Sequence, residues 1–230
     1  MIGIFADDIT TAQVLLGKVT ILSSFTVGKT IVYEAKINAG DIFLIVISGY
    51  GKAQTAFAFA YAQQRNVNKI IGIGNCGSLK LCYTSLGDIA ISTSSIQYDV
   101  DYSRLGYPKT LVPGLEQSIY ISDDDLIDLA KSKCVSKGYD YYLTKFGSGD
   151  QFVASAKISK ELRCKYDVEA VENEAGVVGE LAYLLNIPYV FVKGVSNFAD
   201  YNAPYMYDDY KAMADERSNN IAYEMLLSLT

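Results

Sequence analysis

Strand-length apolar runs alternate along the whole chain with stretches of helical spacing, and this alternation leaves an α/β fold with a mostly parallel sheet as the economical solution. Asp41–Ser48, containing IFLIVI from Ile42 to Ile47, reads as a buried strand, and Lys52–Arg65 as an Ala-rich helix. Asn68–Gly74 and Gly87–Thr93 read as the next strands. Ser122-Asp123-Asp124-Asp125 offers Ser122 or Asp123 as an N-cap with acids in the first turn, predicting a helix to about Lys137. Tyr141–Phe146 and Asp167–Val171 are expected strands flanking a short helix around Ala156–Arg163. The last helix is expected from Tyr207 to Leu229, with Tyr210, Met213, Ala214, Ile221, Met225 and Leu229 on one face as ordinary core. Residues 20–38, rich in β-branched side chains and broken at Val27-Gly28, suggest an antiparallel hairpin added to the sheet.

A chain of 230 residues can bury a sizeable core as one domain, so residues 1–230 are read as a single unit. The net charge is −6, from 20 basic and 26 acidic residues, and the bases are scattered, which argues against a nucleic-acid partner. The apolar runs fall short of a bilayer span, so no membrane segment is expected. The opening MIGIFADDITTA lacks the basic and long apolar regions of a secretory signal and reads as a first strand. Cys76, Cys82, Cys134 and Cys164 show no metal-binding spacing, and a reducing cytoplasm is the expected setting. The chain has no histidine, so catalysis must run on carboxylates, amides, Lys or Tyr.

Several strand ends carry residues suited to a ligand. In an open α/β sheet the carboxyl ends of neighbouring strands share a crevice, so Glu172, Glu174 and Asn197 are expected to face one ligand. A carboxylate at an apolar strand end can accept hydrogen bonds from a sugar diol; exposure at a frayed strand end is the plain alternative. Ser48-Gly49-Tyr50-Gly51-Lys52 and Gly74-Asn75-Cys76-Gly77-Ser78 read as glycine turns that let backbone approach a ligand, or as turns with no ligand at all. Neither matches a dinucleotide or P-loop fingerprint. Phe152, after Gly147-Ser148-Gly149, could stack on a flat ring or plug the core. The segment Ser94–Glu116 reads as a loop long enough to be a lid or an interface.

Taken in order, SGYGK, GNCGSL, the span Gly87–Gly114, GSGDQF, VEAVENEA and KGVSNFAD resemble the nucleoside phosphorylase superfamily over nearly the whole chain, and YDVD…GY…PG resembles its 5′-methylthioadenosine/S-adenosylhomocysteine nucleosidases. The resemblance implies a single-domain three-layer αβα sandwich with a mixed, partly closed central sheet, a homodimer, a small purine nucleoside as ligand, and no metal or organic cofactor. It implies that Phe152 stacks on the purine and the Val153 main chain reads its edge, with Ser196, Asn197 and Ala199 opposite. Glu174, helped by the backbone around Asn173, would hold the ribose hydroxyls, and Glu172 is a further expected substrate-binding residue. Tyr207 would cover the 5′ substituent, and Tyr102, Leu105 and Pro113 would come from the neighbouring subunit. Asn75, Cys76, Gly77 and Lys193 complete the expected pocket.

The reaction implied is hydrolysis of an N-glycosidic bond, with an acid at the purine's N7 and a base on water. Here Asn197 stands where the family usually has Asp, and an amide cannot deliver a proton. Thr11 or Ala12 stands at the water-activating position, leaving Asp8 as the expected substitute. Lys193 replaces the usual Arg, and Asn75 stands where Ser is common. The chain therefore reads as a nucleosidase with weakened or shifted chemistry, a noncatalytic adenosine-ligand binder, a form whose Asn197 was introduced to trap substrate, or a relative with changed base preference. Phosphorolysis is less favoured, because Arg65, Arg104 and Arg163 all lie away from the glycine turns.

Overall fold

The computed structural model describes residues 1–80 and 83–229; Cys82 lies outside them. Ten strands and six helices of the described residues follow one another as β1 (Ile2–Ala6), α1 (Gln13–Leu16), β2 (Thr20–Val27), β3 (Thr30–Lys36), β4 (Phe43–Ile47), α2 (Lys52–Gln64), β5 (Lys69–Ser78), β6 (Ile89–Gln97), β7 (Tyr120–Ile121), α3 (Asp124–Lys137), β8 (Tyr141–Ser148), α4 (Ala156–Tyr166), β9 (Ala170–Glu172), α5 (Ala175–Leu185), β10 (Tyr189–Asn197) and α6 (Ala203–Leu229).

The strands with continuous apolar runs are buried on both faces, as a sheet covered by helices requires. In β4, Phe43, Ile45 and Ile47 pack with Leu15 of α1, Leu126 of α3 and Ile221 and Met225 of α6. Leu44 and Val46 point the other way, against Phe59 of α2 and Val178 of α5. Alternation within five residues thus builds both helical layers of an αβα sandwich. None of the described helices is long and apolar enough to cross a membrane.

Sheet order closes on itself. Strands β10, β6, β8, β9 and β5 pair in sequence, and β5 pairs back with β10, giving a ring from which β1, β4, β3 and β2 extend. The ring is mixed: β5 and β10 are parallel, β6 runs against β10, and β6, β8 and β9 are mutually parallel neighbours. Antiparallel β5 and β9 overlap only at Gly77↔Val171 and Ser78↔Ala170, so the carboxyl end of β5 meets the start of β9. The hairpin expected over residues 20–38 is β2 and β3, paired antiparallel.

Several boundaries differ from the sequence expectation. Gly74-Asn75-Cys76-Gly77-Ser78 is not a turn; it is the second half of β5, held in register by β10 up to Gly77 and by β9 beyond it. Likewise β6 continues to Gln97 because β8 pairs with it throughout, which shortens the following loop. The strand expected from Asp167 is only Ala170–Glu172. Asp123, not Ser122, caps α3, accepting the Leu126 N–H at 3.0 Å. Helix α6 starts at Ala203, and Tyr210 lies on its exposed side.

Candidate active site

Six strand ends surround one cavity of about 500 Å³. Asp7 follows β1, Tyr50 follows β4, Asn75, Cys76 and Gly77 belong to β5, Phe152 and Val153 follow β8, Glu172 and Asn173 end β9, and Asn197 ends β10. Tyr207 enters the wall from the first turns of α6. A register shift between Val195 and Asn197 sets Asn197 opposite Gly77, whose missing side chain leaves room: a Cβ there would lie 2.8 Å from Asn197 Oδ1.

Phe152 is 52% exposed and meets Tyr207 edge to face, with ring centroids 5.5 Å apart. One face of an aromatic plate is therefore free for a flat ligand. Opposite it, Asn197 is buried, its Oδ1 accepting the Ala199 N–H at 2.9 Å and its Nδ2 donating to Ser196 Oγ at 3.0 Å. Ser196 and Ala199 are fully buried behind Asn197 rather than in the wall itself. Burial pushes the Cys76 thiol up to about 12, so it is a neutral wall element.

Of the expected charged residues only Glu172 lines the cavity; Glu174 and Lys193 are buried behind it. Glu172 accepts the Glu174 and Ala175 N–H groups at 2.8 and 2.9 Å, capping the start of α5. Lys193 reaches Glu172 Oε2 at 3.1 Å and pairs with Glu174 on its other side. Burial raises the Glu174 carboxyl to about 8 against the pull of Lys193, while the nearby Asp7 and Glu172 charges add to the rise. Burial also works against the Lys193 charge, but Glu174 and Glu172 outweigh it and hold the ammonium above its usual range. One cation thus serves two buried carboxylates, and Glu174 is the one whose carboxyl is raised.

Asp8, the expected substitute base, stands outside the cavity wall: its carboxylate accepts the Thr10 N–H at 2.8 Å and the Thr10 hydroxyl at 2.7 Å, bonds that hold its carboxyl below the usual range. Its neighbour Asp7 faces the cavity instead, with Oδ1 buried and unpartnered among the described residues. Its charge acts on Glu174, Lys193, Tyr50 and Tyr207. Thr11 is fully buried, with its hydroxyl 3.1 Å from Lys211 Nζ. Tyr102, Leu105 and Pro113 lie outside this cavity; Tyr102 and Leu105 are exposed.

Sequence reasoning missed a polar strip on the buried side of α6. Asp215, Ser218 and Asn219 sit among its apolar residues, all buried and all bonded. Asp215 accepts from Asn75 Nδ2 at 2.9 Å and from Lys211 Nζ at 2.5 Å. Burial raises its carboxyl, with Lys211 and Asn75 pulling the other way. The available signal was three polar residues at helical spacing inside an apolar stripe, a pattern expensive to bury without partners.

The model of the phosphorylase superfamily matches residues 6–227. The chain belongs to the phosphorylase superfamily. Within it, the chain is 29% identical over 228 residues to a 5′-methylthioadenosine/S-adenosylhomocysteine nucleosidase of Haemophilus ducreyi, covering 98% of this chain and 96% of that one. It is 28% identical over 231 residues to the same-named enzyme of Staphylococcus carnosus, covering 100% of both. The crystal structure of the Neisseria meningitidis nucleosidase in complex with methylthio-immucillin-A superposes with a TM-score of 0.93 at 27% identity, covering 99% of this chain and 98% of that one. The closed mixed sheet and its helical layers are thus those of this phosphorylase-superfamily fold.

Proposed function

We propose that the chain is a purine nucleosidase that hydrolyses the N-glycosidic bond of 5′-methylthioadenosine and S-adenosylhomocysteine, releasing adenine. The observation carrying this reading is that a single cavity gathers an aromatic plate, a carboxylate floor and a buried amide, in a chain with full-length likeness to enzymes of that name. Phe152 stacks on the purine, the Val153 main chain reads its edge, and Asn197, backed by Ser196 and Ala199, donates to N7. Asn75, Cys76 and Gly77 bound the pocket between base and sugar. Glu174, with Glu172 and Asn173, holds the ribose hydroxyls, and Lys193 holds the two carboxylates in place. Tyr207 covers the 5′ substituent.

In this mechanism the bond from C1′ to the purine nitrogen breaks toward an oxocarbenium-like sugar, and Asp7 takes a proton from the attacking water. The base role belongs to Asp7 because it lines the cavity and its Oδ1 has no partner among the described residues, whereas Asp8 is engaged by Thr10. Asn197 stabilises the leaving base by a hydrogen bond alone, so the purine departs as an anion, water's oxygen bonds to C1′, and the proton taken by Asp7 returns through solvent to give neutral adenine. Water is favoured over phosphate as acceptor: Lys52 is paired with Asp99 at 2.6 Å, and Lys193 with Glu172 and Glu174.

Asn197 also favours a second reading, a noncatalytic adenosine-ligand binder or a nucleosidase with changed base preference, because an amide has no proton to deliver. Incubation with a panel of purine nucleosides, with and without phosphate, while free base is followed, separates these. Adenine release independent of phosphate supports the hydrolase; tight binding without release supports the binder; faster release from 6-oxopurine nucleosides supports changed preference.

Exposed Tyr102 and Leu105 support a homodimer in which they and Pro113 close the partner's 5′ pocket. Light scattering of the purified protein tests it, with a monomer as the contrary result. The unpaired cysteines Cys76, Cys134 and Cys164 fit a cytoplasmic setting.

A further inference from the structure

Five side chains join the buried side of α6 to the purine-reading amide in one hydrogen-bonded line. Lys211 Nζ donates to Asp215 Oδ2 at 2.5 Å, and Asn75 Nδ2 donates to Asp215 Oδ1 at 2.9 Å. Ser196 Oγ lies 3.3 Å from Asn75 Oδ1, and Asn197 Nδ2 donates to that hydroxyl at 3.0 Å. The two amides could each be turned either way, so the direction of the line must come from groups that have no choice.

Both ends supply such a group. The Asp215 carboxylate, paired with the Lys211 ammonium, can only accept; Asn75 must turn its NH₂ toward it and its carbonyl toward Ser196. That carbonyl can only accept, as can the Cys76 main-chain carbonyl, also 3.3 Å from Ser196 Oγ, so the Ser196 hydroxyl donates to this side, shared between the two, and offers its oxygen to Asn197. At the far end the Ala199 N–H can only donate, and it takes the Asn197 carbonyl. The two constraints agree: Asn197 spends one N–H on Ser196 and has the other for the cavity it lines.

Close packing makes the near end rigid. Gly194 of β10 lies against α6 so tightly that a Cβ would come within 2.3 Å of the Ala214 carbonyl oxygen, which sets Asp215 beside Asn75. Asn219 bonds the Thr11 carbonyl at 2.7 Å, and Ser218 bonds the Val192 carbonyl at 2.6 Å, fastening the same turns to the sheet.

We propose that Asp215, held by Lys211, is a positioning residue for base recognition: through Asn75 and Ser196 it fixes Asn197 as a hydrogen-bond donor, so the pocket selects purines that present an acceptor at N7. This rests on the purine-nucleoside reading above and assigns the α6 pair a role in it.

The test compares dissociation constants for adenosine and for 7-deazaadenosine, whose N7 is replaced by C–H. Wild type is expected to bind adenosine about tenfold more tightly, the worth of one well-placed hydrogen bond. In Asp215→Asn, which keeps the shape but can donate or accept, the ratio falls to about threefold or less; Asp215→Ala and Lys211→Met move it the same way. Adenosine against 2′-deoxyadenosine, which reads the ribose, stays at the wild-type ratio in all three, so a general loosening of the pocket is told apart from lost amide direction. An unchanged N7 ratio in folded Asp215→Asn overturns the proposal while leaving the nucleoside reading intact. No binding of either nucleoside to wild type overturns both.

Discussion

Lys193 Nζ lies 3.1 Å from Glu172 Oε2 and also against Glu174, so a single buried ammonium serves two buried carboxylates. A low-dielectric site cannot cheaply hold the surplus negative charge, and Glu174 retains a proton up to about pH 8. The sign of its linkage to folding follows. A carboxyl whose folded pKa is raised from its ordinary value of 4.5 stabilises fully below that value, and the contribution is lost as pH rises toward about 8. Unfolding free energy from urea titrations should fall across this window in wild type relative to Glu174→Gln, with a limiting slope of about 1.4 kcal/mol per pH unit. Parallel curves for the two proteins would show that Glu174 ionises normally.

Asp7 and Asp8 are adjacent in sequence and opposite in circumstance. The first lines the cavity and has a buried oxygen with no partner among the described residues; the second is tied to Thr10. Asp7→Asn should therefore lower the rate of base release by about 10² or more at little cost in stability. Asp8→Asn should keep the wild-type rate within about threefold and lose a fraction of the local turn's stability, as expected for a partly exposed hydrogen bond. Equal rate losses in the two variants would contradict the assignment of Asp7.

The layers of the fold were legible because buried parallel strands read as continuous apolar runs; β4 shows both of its faces within five residues. The ring closure was not, since it depends on β5 pairing with β10 and β9 at residues whose glycines and Asn75 read locally as a turn. Composition at Gly74–Ser78 was overridden by tertiary pairing. In the site, Phe152, Glu172 and Asn197 could be found from strand ends alone. Asp7 and Asp8 could not be told apart, because they are adjacent acids just past β1 and only the tertiary structure puts Asp7 on the cavity and Asp8 on Thr10. Asp215 was hidden for another reason: its partner Asn75 lies 140 residues away, and only the packing of Gly194 on Ala214 brings them together.

That packing is itself testable. A Cβ at residue 194 would stand 2.3 Å from the Ala214 carbonyl oxygen and 2.5 Å from its Cα, both backbone atoms of a 27-residue helix that cannot swing aside locally. Gly194→Ala should cost at least about 1–3 kcal/mol in denaturant unfolding. The displaced helix should also weaken the adenosine preference over 7-deazaadenosine, since Asp215 moves with it. A variant as stable as wild type would mean that β10 and α6 adjust freely.

Restoring a carboxyl at Asn197 tests the missing acid and the direction of the hydrogen-bonded line together. Alone, Asn197→Asp should raise adenine release, but by less than the 10²–10⁴ that a well-placed general acid typically supplies. The new oxygen beside Ser196 Oγ cannot donate, so the Ser196 hydroxyl turns toward it and leaves the Asn75 carbonyl without its donor. With Asp215→Asn in the same protein, residue 215 can donate to the Asn75 carbonyl, Asn75 can turn its NH₂ to Ser196, and the whole line reverses to suit an acid at 197. A double-mutant cycle on the rate of base release should therefore show favourable coupling of about 0.5–3 kcal/mol between positions 197 and 215. Additive effects would mean that the two positions act independently and that Asn75 and Ser196 carry no direction between them.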